Sequence, residues 1–206
     1  MPDVLPVLPP ALDYAGVAVF ALTGALAAAR AKHDLVTFLF FAIVTGVGGG
    51  TLRDLLIGAP VFWISDATYL AIGAGAALIV WLFAERLERT SALIWIDAVG
   101  LAVYAVIGAG KALALGVEPA VAAAMGVLTA CFGGVLRDVL ANQPSILLKR
   151  EIYVSAALLA ASLFVVMVGF AVPLLWAGAF GAGAGFALRA CAIHFGWALP
   201  AFGERK

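Results

Sequence analysis

An all-α integral membrane fold is predicted: seven transmembrane helices, arranged as two inverted three-helix repeats plus a seventh helix. Three observations predict it. The 206 residues are 65% apolar and 12% charged, with a mean hydropathy of +1.13, too apolar for a soluble domain of this length. Seven apolar stretches approach the roughly 20 residues that a bilayer core requires of a helix. One polar segment is written twice: Thr45-Gly-Val-Gly-Gly-Gly-Thr-Leu-Arg-Asp54 returns 84 residues later as Thr129-Ala-Cys-Phe-Gly-Gly-Val-Leu-Arg-Asp138.

The helices are expected near 12–29, 36–57, 67–84, 93–114, 120–141, 152–170 and 173–192. The first opens on Asp13 and stops at Arg30 and Lys32. The second carries the first Gly motif and ends at the turn Gly58-Ala-Pro60. The third runs from Tyr69 to the basic stretch at Arg86 and Arg89. The fourth opens near Asp97 and carries Lys111, and the fifth holds the second motif and ends at Asn142-Gln-Pro144. The last two follow Lys149-Arg150 and Pro173, and the small residues Ala177, Gly181 and Gly185 fit the seventh for close packing within the protomer. Connections are short and rich in turn formers, so residues 1–206 read as one transmembrane domain.

The repetition extends beyond the motif. At the same offset Asp13 meets Asp97, Gly16 meets Gly100, Gly24 meets Gly108, Pro60 meets Pro144 and Tyr69 meets Tyr153. The repeats therefore run 12–84 and 96–168, with 173–192 as an added helix. Lys and Arg follow the first, third, fifth and seventh helices and are absent from the N-terminus and the loops after the second, fourth and sixth. The positive-inside rule then places the N-terminus outside and the C-terminus in the cytosol. Trp63 and Tyr69 fall at the outer boundary, and Trp81, Trp95 and Tyr153 at the inner one. A three-helix unit crosses an odd number of times, so the second copy is inverted, an arrangement that points to a substrate or ion site near the midplane.

Glycine costs about 1 kcal/mol relative to alanine inside a helix. Gly48, Gly49 and Gly50 are expected to break or kink the second helix, and Gly133 and Gly134 the fifth. Carbonyls freed at that depth must line water, bind a cation or meet protein. The charges that follow, Arg53-Asp54 and Arg137-Asp138, cost on the order of 3 kcal/mol each at a helix centre and must be paired or wet. With Asp13 and Asp97 they form one charged group toward each end of a path. Lys111 shares the depth of Arg53, about 10 Å outward of mid-helix at 1.5 Å per residue. Its counterpart is Ala27, so it breaks the symmetry. Its candidate partners are Asp54 or the carbonyls of Gly48 to Gly50, and snorkelling to the surface is the alternative.

The rest of the sequence excludes more than it suggests. Zero net charge gives no basic footprint for nucleic acid. Cys131 and Cys191 both fall in apolar stretches, and His33 and His194 are far apart, so neither a disulfide nor a metal site is expected. No nucleophile–base arrangement, phosphate loop or cofactor motif is present, and no enzyme activity or cofactor is expected.

Seven helices in a three-plus-three-plus-one order, with Gly49-Gly50-Thr-Leu-Arg53-Asp54 and Gly133-Gly134-Val-Leu-Arg137-Asp138 in the second helix of each triplet, resemble the prokaryotic branch of the TRIC family, the trimeric intracellular cation channels. The resemblance implies a homotrimer in the cell inner (plasma) membrane, each protomer with its own hydrophilic pore lined by helices 1, 2, 4 and 5. It implies passive conduction of monovalent cations, preferring potassium, with sodium as a second candidate. It also implies a gating role for Lys111, which stands where the family has a lysine associated with gating. The first motif has three consecutive glycines and the second reads Cys131-Phe132-Gly133-Gly134, so the two halves of the pore are expected to differ. Bacterial relatives also carry the description glycine transporter, which keeps secondary transport of a small amino acid as the alternative.

Overall fold

The computed structural model describes residues 10–88, 91–146 and 151–200. Of the cations used to assign topology, Arg89, Lys149, Arg150, Arg205 and Lys206 lie outside the described residues. Seven helices are present among the described residues: α1 (Pro10–Arg30), α2 (Leu35–Leu56), α3 (Thr68–Glu88), α4 (Ala92–Ala114), α5 (Pro119–Leu140), α6 (Val154–Gly169) and α7 (Leu174–Phe195). Six are long and apolar enough to cross a membrane, and α6 is an apolar helix of 16 residues. The all-α fold class is as expected.

The ends of the helices follow from local chemistry. Asp34 caps α2 by accepting the Thr37 amide at 2.8 Å, and Pro119 opens α5, where its missing N–H costs nothing. After α2 and α5 the chain turns through left-handed residues, Gly58 (φ +68°) and Asn142 (φ +50°), the two residue types that tolerate that conformation best. After α1 and α4 the left-handed residues are Lys32 (φ +57°) and Gly116 (φ +77°). Both pairs are separated by the same 84 residues as the Gly motifs.

The expected break in helices 2 and 5 is not found. Helix α2 is continuous from Leu35 to Leu56, through Gly48, Gly49 and Gly50, and α5 is continuous from Pro119 to Leu140, through Gly133 and Gly134. The glycines serve another purpose, the approach of two backbones. A Cβ on Gly49 would stand 2.0 Å from the Thr129 carbonyl oxygen, and one on Gly133 would stand 2.7 Å from the Thr45 carbonyl oxygen. Where helices meet backbone to backbone, only a residue without Cβ fits, and packing compensates for the intrinsic helix cost.

The same rule recurs around this crossing. A Cβ on Gly24 would lie 2.4 Å from the Phe41 carbonyl and 2.6 Å from Thr45 Oγ1, while one on Gly108 would lie 2.5 Å from Thr129 Oγ1. Gly16 makes room for the ring of Tyr104, and Gly100 for that of Phe20; these two rings meet edge to face at 5.2 Å. Helix α7 packs on α6, where Gly181 and Gly185 face Ala160 and its carbonyl at distances a Cβ could not share. The small-residue seam expected within the protomer is therefore made.

Candidate functional site

Two clusters of buried charge flank the α2–α5 crossing. At one end, the last turns of α2 and α4 bring Asp54 and Lys111 together. Asp54, fully buried, accepts Arg53 Nε at 2.8 Å, Lys111 Nζ at 2.8 Å and the Phe62 amide at 3.1 Å. Of the partners expected for Lys111, the structure selects Asp54, and 27% of the lysine side chain stays exposed. Phe62 lies under both cations, 5.9 Å from Arg53 Cζ and 5.7 Å from Lys111 Nζ. Gly50 gives it space, since a Cβ there would stand 2.6 Å from the ring. Trp63 reaches back to Thr51 Oγ1 at 2.9 Å, so the loop after α2 folds over this end.

Asp13 does not join Arg53. Its carboxylate accepts the Tyr69 hydroxyl at 2.9 Å, and Arg53 Nη1 and Nη2 have no hydrogen-bond partner among the described residues. Tyr14 donates to Asp66 Oδ2 at 2.6 Å, which ties α1 to the same loop.

At the other end Asp97 on α4 and Arg137-Asp138 on α5 come together as expected. Arg137 reaches Asp138 Oδ1 from both Nε and Nη2 at 2.9 Å and Asp97 Oδ1 from Nη1 at 2.5 Å. The second Asp138 oxygen accepts the Ile146 amide at 2.8 Å, as Asp54 accepts Phe62. A cavity of about 320 Å³ opens beside this group, lined also by Arg30, Glu151 and Arg189. Between the two ends lie Thr45, Gly49, Thr129 and Gly133, all buried. Among the described residues, Thr45 Oγ1 has no hydrogen-bond partner.

Gly48 faces Leu136, and Gly134 sits where Tyr153, Arg137 and Asp97 converge. Sequence reasoning assigned Tyr69 and Tyr153 to the membrane boundaries. Both are buried within the protomer, at 7% and 1% exposure, and face the charged groups, a role that their pairing at the repeat offset beside Asp13 and Asp97 could have signalled. Arg189 was counted only as a cytosolic cation. It is buried at 1%, bonded to Glu151 at 2.5 Å and to the Ile152 carbonyl at 3.4 Å, and it is the only Lys or Arg in the seventh apolar stretch.

A family model described as Glycine transporter matches residues 10–85 and 94–169. Among curated relatives, the inner membrane protein YadS of Escherichia coli K12, a UPF0126 protein, is 36% identical over 195 residues, covering 93% of this chain and 94% of that one. A UPF0126 membrane protein of Vibrio cholerae is 42% identical over 153 residues, 72% of this chain and 63% of its own length. Among solved structures, the TRIC trimeric intracellular cation channel orthologue from Rhodobacter sphaeroides superposes with a TM-score of 0.88 at 44% identity, covering 91% of this chain and 98% of that one. A second TRIC cation channel gives 0.85 at 27% identity, covering 97% and 100%. The chain is a multi-pass protein of the inner membrane. With this fold, this motif pair and these relatives, it belongs to the prokaryotic TRIC family, the group that the glycine-transporter model and the UPF0126 proteins also describe.

Proposed function

We propose that the protein is a passive cation channel, potassium-preferring among monovalent cations, with one hydrophilic path per protomer between α1, α2, α4 and α5 and with three protomers in the assembly. The observation that carries the reading is the pair of buried charged groups, Asp54 with Arg53 and Lys111, and Asp97 and Asp138 with Arg137, set at the two ends of one close helix crossing. The likeness to solved TRIC cation channels supports it. In this reading the units 12–84 and 96–168 are inverted repeats, the Lys111 end faces outward and the Arg189 end faces the cytosol.

The conformation described is closed at the crossing, because backbone meets backbone there. Conduction therefore requires α2 and α5 to part. The Lys111 end holds two carboxylates and two cations: Asp54 binds both Arg53 and Lys111, and Asp13 is held by the Tyr69 hydroxyl. Withdrawing Lys111, the partly exposed one, leaves a net negative mouth that attracts a cation. Selectivity is accordingly assigned to the carboxylates and to peptide oxygens exposed when the crossing opens. Lys111 acts as a gate because it occupies the carboxylate that an entering ion needs.

Secondary transport of glycine is the second reading, favoured by the description of the family model. Counting turnover separates the two, since alternating access is limited by conformational steps of microseconds to milliseconds or longer. Reversal potentials of the purified protein in asymmetric KCl test selectivity. Tracking of potassium supports the channel, and tracking of chloride overturns it. Reporters fused after Lys206 and near Pro60 test orientation: the first must read as cytosolic and the second as exported.

A further inference from the structure

The Lys111 ammonium is held as a free monovalent cation would be held. Its Nζ stands 2.8 Å from Asp54 Oδ2 and over the Phe62 ring, 5.7 Å from the centroid. The Phe62 amide donates to the same Oδ2 at 3.1 Å, so the backbone fixes the ring and the carboxylate oxygen to each other. The other oxygen, Oδ1, accepts Arg53 Nε at 2.8 Å. The ring also packs on Tyr69, edge to face at 4.6 Å, and lies in the space that Gly50 leaves.

The sequence confines this pairing to one end. At the 84-residue offset Lys111 corresponds to Ala27 and Phe62 to Ile146. The Ile146 amide makes the equivalent bond to Asp138 Oδ2 at 2.8 Å, but an aliphatic side chain has no π face. Ala27 brings no cation and lines the open cavity instead. Lys111 sits on a flexible four-carbon stem with 27% of its side chain exposed, so it can leave. The carboxylate and the ring, tied by the Phe62 amide, stay behind as a formed pair.

We propose that this place, against Asp54 Oδ2 and over Phe62, is a binding site for a weakly hydrated monovalent cation, filled by Lys111 when the gate is shut, and that Phe62 is its specificity-determining residue. The charge count sets the valence. Asp13 and Asp54 balance Arg53 and Lys111, so withdrawing the lysine leaves one negative charge. A monovalent cation restores neutrality, whereas a divalent one leaves an excess positive charge on a buried group. The ring sets the second preference. Its face attracts a cation through the quadrupole but replaces water poorly, so an ion that sheds water readily, such as potassium, gains more than sodium does. The inference rests on the channel reading and places one ion site within it.

Tetramethylammonium is the probe, because aromatic faces recognise quaternary ammonium, and Lys111→Ala empties the place. Added at the Lys111 end of Lys111→Ala channels, it is expected to block. The parent is expected to need about fivefold more, since the tethered ammonium competes. In the Lys111→Ala background, Phe62→Leu is expected to raise the blocking concentration about fivefold, the contribution of one ring face to a partly exposed cation. The same change is expected to lower the potassium-to-sodium permeability ratio about twofold or more. A blocking concentration or a permeability ratio that Phe62→Leu leaves unchanged overturns the proposal. If Phe62→Leu does not assemble, 3,4,5-trifluorophenylalanine at 62 drains the negative face of the ring at nearly constant shape and must cause the same losses. Thermal melts in detergent give a readout without conduction, with sodium chloride of equal ionic strength as the reference. At about ten times its dissociation constant, tetramethylammonium is expected to raise the Tm of Lys111→Ala by about 3–6 °C. The parent, and Lys111→Ala combined with Phe62→Leu, are expected to show about half that shift or less. Equal shifts in all three overturn the proposal. Absence of any current in the parent instead refutes the channel reading, and the melts still decide whether the site exists.

Discussion

Replacing Gly49 by alanine separates two roles for the motif by the sign of one measurement. If the glycines exist to weaken α2, alanine raises helix propensity and stabilises the protein by about 1 kcal/mol. The structure requires the opposite. The new methyl group would stand 2.0 Å from the Thr129 carbonyl oxygen, a backbone atom that cannot rotate away. To restore an ordinary contact the two helices must part by about 1 Å or more. Overpacking of this kind costs about 1–3 kcal/mol, and a rigid backbone neighbour puts Gly49→Ala at the upper end. For a chain of this size 3 kcal/mol corresponds to an apparent Tm lowered by about 6–12 °C. Gly133→Ala meets the Thr45 carbonyl at 2.7 Å, so a few tenths of an ångström suffice and the cost falls to about 1 kcal/mol. Gly75 and Gly183 have open space where a Cβ would go and serve as controls. Thermal melts in one detergent must give the order Gly49→Ala, then Gly133→Ala, both below the parent, with the controls at or above it. Gly49→Ala melting with the controls would refute the close crossing.

Lys111→Ala removes one of three donors to Asp54. A partly exposed pair contributes on the order of 1 kcal/mol, so open probability should rise about fivefold. Voltage dependence should flatten, because that charge lies in the membrane field; single-channel recording checks both. Ala171→Gly relieves a left-handed residue (φ +57°) and should raise Tm by about 2–4 °C, from a strain of ~1 kcal/mol. Asp66 is held below its ordinary pKa of 3.8, first by the Tyr14 hydroxyl and then by Thr68. A depressed carboxylate contributes stability above its unfolded pKa and loses it as pH falls through the folded value. The tie between α1 and the loop after α2 should therefore be intact at neutral pH and weaken below about pH 4 in the parent, with Tyr14→Phe removing that acid dependence in hydrogen exchange of the loop.

The helices were legible because bilayer thickness sets their length and Gly, Pro and basic residues mark their ends; each predicted boundary lies within four residues of the observed one. The Lys111–Asp54 and Arg137–Asp97 contacts were legible for a related reason: buried charges need partners, and the helical rise gives their depth. The continuity of α2 and α5 was not legible. Glycine propensity is local, whereas the contact between Gly49 and Thr129 depends on a helix 80 residues away in sequence. Nor was the burial of Arg189 legible, because it depends on Glu151 and Ile152, which reach it only when α7 folds against α6.

Unitary current through the purified protein in a planar bilayer tests the central claim most directly. A channel gives discrete openings that pass far more than ~10³ ions per second, beyond what conformational cycling at millisecond rates can deliver, with reversal potentials that follow potassium. Substrate-coupled flux below that rate without unitary openings would contradict the account and establish the transporter in its place.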